Sequence, residues 1–199
     1  MPRPSMAGQR REEILDALET CILEKGIQGT SLEYLAETAN MKRTILRHYL
    51  GNRDDIICAL SKRWREKFDE QWHETLSWLP EKNRVNALID ILFAARSESY
   101  LKATVISDAL FSEAKRLAPV KDDQIHSMNM FVRIVSEELG KEFTAATAEH
   151  CELVASGIQA NYLMSETLHP LGLADDISSL KSASLLLITT LADAQSTND

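Results

Sequence analysis

The sequence predicts an all-α protein: three short helices form an N-terminal helix-turn-helix part, and a longer helical part follows. Three observations carry this. Glycine and proline are scarce, 7 and 5 of 199 residues, roughly half of an average usage near 12%. Turns are therefore few, which disfavours folds built from many short strands. Apolar residues recur at helical spacing over most of the chain, with no strand-like alternation of useful length. The apolar and charged fractions, 44% and 26%, are those of a globular chain with enough length to bury a core.

Residues 1–8, with two prolines and a glycine, read as a flexible arm. The first helix spans Gln9 to Lys25, where Ile14, Leu15, Leu18, Cys21 and Ile22 form one apolar stripe. Gly26 ends it, as a residue permissive of positive φ does. The second helix starts at Thr30 or Ser31: Thr30 with Glu33 fits a capping box, and Ser31 is the alternative cap. It is too short to be stable alone and must pack on its neighbours. Ala39-Asn40-Met41 is a tight break, since Asn tolerates the left-handed conformation. A third helix runs from Lys42 to Leu50, and Gly51-Asn52 stops it. Asn52 then caps a long fourth helix from Arg53 to Trp78, closed by Pro80. Further helices are expected at 82–98, 102–117, 121–139, 145–168 and 175–195, with breaks at Pro119, Gly140 and His169-Pro170-Leu171-Gly172.

Helical geometry tests the third helix. With Met41 at 0°, the residues Ile45, Tyr49, Leu46 and Leu50 fall at about 40°, 80°, 140° and 180°. Arg43, Arg47, Thr44 and His48 fall at about 200°, 240°, 300° and 340°. One side can pack inward while the other enters a DNA groove. The polar side suits base reading, because Arg can donate twice to guanine while Thr and His can bond or touch base edges. Lys42, at about 100°, is the exception to this division, but it lies in the first turn, where a long side chain can swing out. Tyr49 and Arg53 lie at the rim, where phosphate contacts form, and Thr30 and Ser31 open a helix N-terminus toward a phosphate. Without its surroundings, this face would read as merely solvated.

The run Gly29-Thr30-Ser31-Leu32-Glu33-Tyr34-Leu35-Ala36-Glu37-Thr38-Ala39-Asn40-Met41-Lys42-Arg43-Thr44-Ile45-Leu46-Arg47-His48-Tyr49-Leu50-Gly51-Asn52-Arg53-Asp54-Asp55-Ile56 resembles the signature of tetracycline-repressor-like regulators. The resemblance extends from the first helix into the fourth without a gap. It implies base reading by Arg43, Thr44 and Arg47, and phosphate contacts by Ser31, Ile45, His48, Tyr49 and Arg53. Asn40 replaces the family's usual Gly, Lys42 its usual Ser and Arg47 a frequent Tyr. The last change implies a different operator sequence. Residues 1–53 are thus expected to bind double-stranded operator DNA, and 54–199 to dimerise and bind an effector. The resemblance implies a repressor that acts as a homodimer, with the last two helices meeting their twins. The alternative is a helical architectural or interaction protein that binds DNA with no effector.

The remaining features weigh less. Trp64, Phe68, Trp72 and Leu76 recur every four residues, and Phe93, Phe111, Met128 and Phe131 follow. Each singly reads as core. Together, Trp64, Phe68, Trp72, Phe93, Phe111, Met128 and Phe131 are the candidate walls for an apolar or aromatic small molecule. The net charge is −8, but residues 1–53 hold eight Lys/Arg and seven Asp/Glu, so the acid lies in the second part. That disfavours a generally basic nucleic-acid coat and a polyanionic ligand. Cys21, Cys58 and Cys151 are widely spaced, and His73, His126, His150 and His169 show no metal-ligand spacing, so no metal or cofactor is expected. No hydrolase or phosphate-loop motif points to an enzyme. No signal-peptide core or membrane span is read, and the expected setting is cytoplasmic.

Overall fold

The structure, a computed structural model, describes residues 6–196, with side chains described as far as Ala192. Its elements are α1 (Met6–Gly29), α2 (Leu32–Thr38), α3 (Arg43–Leu50), α4 (Arg53–Trp78), α5 (Arg84–Leu92), α6 (Glu98–Glu113), α7 (Ala118–Glu142), α8 (Ala148–Leu168), a 3-10 turn (His169–Leu171) and α9 (Ala174–Ser196). No strand occurs among the described residues. No helix among them is long and apolar enough to cross a membrane.

Several boundaries differ from the sequence reading. Residues 6–8 of the expected arm are helical; the rest of that arm lies outside the described residues. Gly26 breaks the helical path of α1 with φ 70° and ψ 163°. The helix expected at 82–98 is shorter, because Asn83 opens it in the left-handed region and Phe93 closes it. Pro119 does not interrupt α7 but sits in its first turn, where a missing N–H costs nothing. Gly140 likewise lies within α7, so a single glycine did not suffice to end that helix.

The chain forms two compact units. The first comprises the residues up to Glu70 with Lys102–His126, and the second comprises Gln71–Leu101 with the residues from Ser127 onward. In the first, Ile14, Leu18 and Ile22 of α1 close over Leu35, Leu46, Ile56, Leu60 and Leu110. Arg63 fastens α4 to α1. Its side chain is 11% exposed and reaches Glu12 at 3.0 Å, Asp16 at 2.7 Å and Glu19 at 2.6 Å.

In the second unit α8 and α9 pack along each other, and α5 packs on α9. Gly157 permits a close approach: a Cβ there would stand 2.7 Å from Cδ1 of Leu187. Glu138 of α7 is buried and accepts from Arg84 Nε at 2.8 Å and Lys141 Nζ at 2.7 Å. Burial pushes its pKa up, but the two cations outweigh burial and leave it below the ordinary 4.5. The unfolded chain therefore takes the proton more readily, so this stabilisation is complete above about pH 4.5 and fades as pH falls through the folded value. Urea titrations stepped down from pH 7 should show the second unit weakening below pH 4.5, and Glu138→Gln should remove part of that slope.

Candidate nucleic-acid interface

The helix-turn-helix is assembled by local capping. Ser31, in extended conformation, is the cap of α2: its Oγ accepts from the Tyr34 N–H at 3.1 Å. Glu33 does not complete a capping box but pairs with Arg43. At the turn Asn40 takes φ 50°, and Met41 N donates to Ala36 O at 2.9 Å. Lys42 begins α3 without a side-chain cap bond. Gly51, at φ 89°, ends α3 where a Cβ would strike the Asp55 carboxylate. Asn52 and Asp55 then cap α4 reciprocally, Asn52 Oδ1 accepting from Asp55 N at 3.1 Å and Asp55 Oδ2 from Asn52 N at 2.8 Å.

The phase of α3 follows. Leu46 and Leu50 are buried in the first unit's core, while Arg43, Thr44, Arg47 and His48 form an exposed run. Tyr49 is half-buried against that core, its ring edge-on to His48 at 4.9 Å. Ile45, expected to face inward, is 37% exposed. The burial direction centres on Leu46 and Leu50, about 120° from Ile45 on the helical wheel, which leaves Ile45 at the margin.

Two residues expected beside phosphates serve the fold instead. Thr30 is buried, and its Oγ1 donates to Gly26 O at 2.9 Å. Arg53 donates through Nε to Thr30 O at 3.0 Å and through Nη2 to Ile27 O. The break at Gly26 leaves these carbonyls outside a continuous helix; Ile27 O also accepts from Thr30 N at 3.4 Å, and Arg53 adds a side-chain donor to both. Arg53→Ala should therefore cost about 1.5–3 kcal/mol of folding stability, the worth of hydrogen bonds to a charged group. Chemical denaturation measures that loss. The salt dependence of DNA binding should stay nearly unchanged.

The candidate ligand walls are divided. Trp72, Phe93 and Phe131 are buried in the second unit, with Met128 partly exposed there. Trp72 meets Phe131 edge-on at 5.4 Å. Trp64 and Phe68 are half-buried in the first unit, where Trp64 Nε1 donates to Glu19 at 2.8 Å. Phe111, also in the first unit, is 56% exposed. Residue type alone does not separate it from the buried aromatics; the phase of its helix does. The sequence reading missed Tyr162, which stacks on Phe131 at 5.2 Å and shares a 2.9 Å hydroxyl bond with Tyr100. Its place in helical phase with Val154 and Ile158, at successive steps of four, was the available signal. Arg96 packs over Tyr100 at 4.2 Å and pairs with Glu166 at 2.7 Å. Burial pushes the Tyr162 hydroxyl pKa up.

No family model matches the chain. It is 27% identical over 137 residues to the HTH-type transcriptional regulator BetI of Burkholderia lata, covering 64% of this chain and 69% of that protein. It is 29% identical over 120 residues to BetI of Burkholderia cenocepacia, covering 60% of this chain and about half, 54%, of that relative's length. Among solved structures, a TetR transcription regulator from Haloarcula marismortui superposes with a TM-score of 0.75 at 16% identity, covering 92% of this chain and 97% of that one. NalD, described as the secondary repressor of the MexAB-OprM multidrug efflux pump in Pseudomonas aeruginosa, superposes at 0.64 and 18% identity, covering 92% and 96%. These structures share the fold.

Proposed function

We propose that this chain, a helix-turn-helix regulator with the tetracycline-repressor fold and BetI-type relatives, is a cytoplasmic, ligand-responsive repressor that binds an inverted-repeat operator as a homodimer. The observation that supports it best is the exposed run Arg43, Thr44, Arg47 and His48, seated on α3 over buried Leu46 and Leu50. Residues 1–53 carry the reading head, and 54–199 carry dimerisation and sensing.

In this reading α3 lies in the major groove. Arg43 and Arg47 donate to guanine O6 and N7, and Thr44 and His48 touch neighbouring base edges. Ile45 offers an apolar contact to a thymine methyl. Lys42, Tyr49 and the exposed Ser31 stand toward phosphates, which fix register without carrying sequence. No chemical step belongs to this function.

One head contacts few bases, and two-fold symmetry doubles them. The outer faces of α8 and α9 support a second copy as partner. Leu153 and Leu186 are 70% and 68% exposed, and Leu163 continues the α8 stripe, with the small residues Ser156, Ala160 and Ser182 between. Light scattering should give twice 22.4 kDa, and Leu186→Lys with Leu153→Lys should shift it toward the monomer.

For the effector, the series Trp72, Phe131 and Tyr162 supports an apolar or aromatic molecule in the second unit. Effector binding would favour a head spacing that no longer fits the operator. The test is a compound screen by melting shift, followed by anisotropy on an operator duplex. A true effector lowers operator affinity, since linkage is reciprocal. If every stabilising compound leaves DNA affinity unchanged, the architectural reading without an effector replaces this one.

A further inference from the structure

We infer that Glu33 is a specificity-positioning residue that holds the Arg43 guanidinium for guanine. The inference rests on the reading head proposed above. Glu33 lies in the first turn of α2 and Arg43 is the first residue of α3, so their ion pair spans the two helices of the motif. The pair bounds an open hollow of about 540 Å³, lined also by Ala36, Glu37, Met41 and Lys42.

The chemistry follows from the guanidinium fork. Arg43 uses Nη1 for Glu33. Five donors in a fixed plane leave another edge for a base. An exposed arginine ordinarily loses rotamer freedom when it binds, and a guanidinium already held gives up less. As a stability device the pair contributes little, since both side chains are about half exposed, 47% and 56%. Its effect lies in selection. A carboxylate on the DNA side repels phosphates, so it lowers affinity for every sequence. It also keeps Arg43 from swinging to a phosphate, which raises the share of binding that depends on the base.

Glu37 provides an internal control. It is exposed on α2, lines the same hollow and has the same charge, but its carboxylate makes no ion pair with Arg43 among the described residues. The experiment selects from a randomised duplex library with the full chain and with R43A, E33A, E33Q and E37A. R43A should lose preference at one base pair of each half-site by about fivefold or more. E33A should lose preference at that same base pair by about three- to tenfold, while its affinity for the unselected library rises. E33Q, which keeps an acceptor oxygen, should fall between E33A and the parent. E37A should raise library affinity with the motif unchanged. A motif from E33A that matches the parent's overturns the inference and leaves the DNA-binding reading standing. A motif from R43A that matches the parent's overturns it as well. A parent that enriches no motif overturns both the inference and the reading it rests on.

Discussion

Replacing Arg43 and Arg47 together with alanine should remove most of the sequence preference and leave the fold in place. Each bidentate contact to guanine is worth about 1–3 kcal/mol of discrimination, so the pair carries a loss on the order of 30-fold to 10⁴-fold on the selected site. Both side chains are exposed on α3, above a core that the substitutions do not touch. The only described ion pair involving either is the half-exposed one between Arg43 and Glu33, whose removal costs at most about 1 kcal/mol. Anisotropy on the selected duplex and on a scrambled duplex measures the effect. Affinity for the scrambled duplex should fall far less.

Phe131→Ala should produce the largest stability loss. Phe131 is 2% exposed and lies between Trp72, edge-on at 5.4 Å, and Tyr162, stacked at 5.2 Å. Removing a buried phenyl ring costs about 3–5 kcal/mol through lost transfer energy and the cavity left behind. In a chain of this size that lowers the melting midpoint by roughly 10 °C. Phe131→Leu should recover most of it. The comparison also bears on Phe131 as a ligand wall. A side chain that only faced a ligand would cost little when cut back in the unliganded protein.

The helices that sequence read well are those whose ends carry local chemistry. α4 begins and ends where Asn52 and Pro80 place it, because the Asn52–Asp55 cap is written in adjacent residues. Asn40 takes the left-handed turn for the same reason. The inward face of α3 was legible through Leu46 and Leu50, but Ile45 sits at an angle that periodicity leaves to tertiary packing. Arg53 shows the opposite limit. Nothing local says that its guanidinium would be taken by the carbonyls of Ile27 and Thr30, more than twenty positions earlier. The Glu33–Arg43 pair was hidden likewise, because it depends on how the turn sets α3 against α2. Among the aromatics, identity alone could not separate exposed Phe111 from buried Phe131, since only the phase of each helix decides it.

The most direct test of the account is dimethyl sulfate protection on a selected duplex, which reads access to guanine N7 in the major groove. Protected guanines should fall in two symmetric half-sites about one turn, roughly 34 Å, apart. Arg47→Ala should restore methylation at one guanine in each half-site. Equal methylation of every guanine with and without the protein, under conditions where it is bound, would contradict the claim that the exposed face of α3 reads bases.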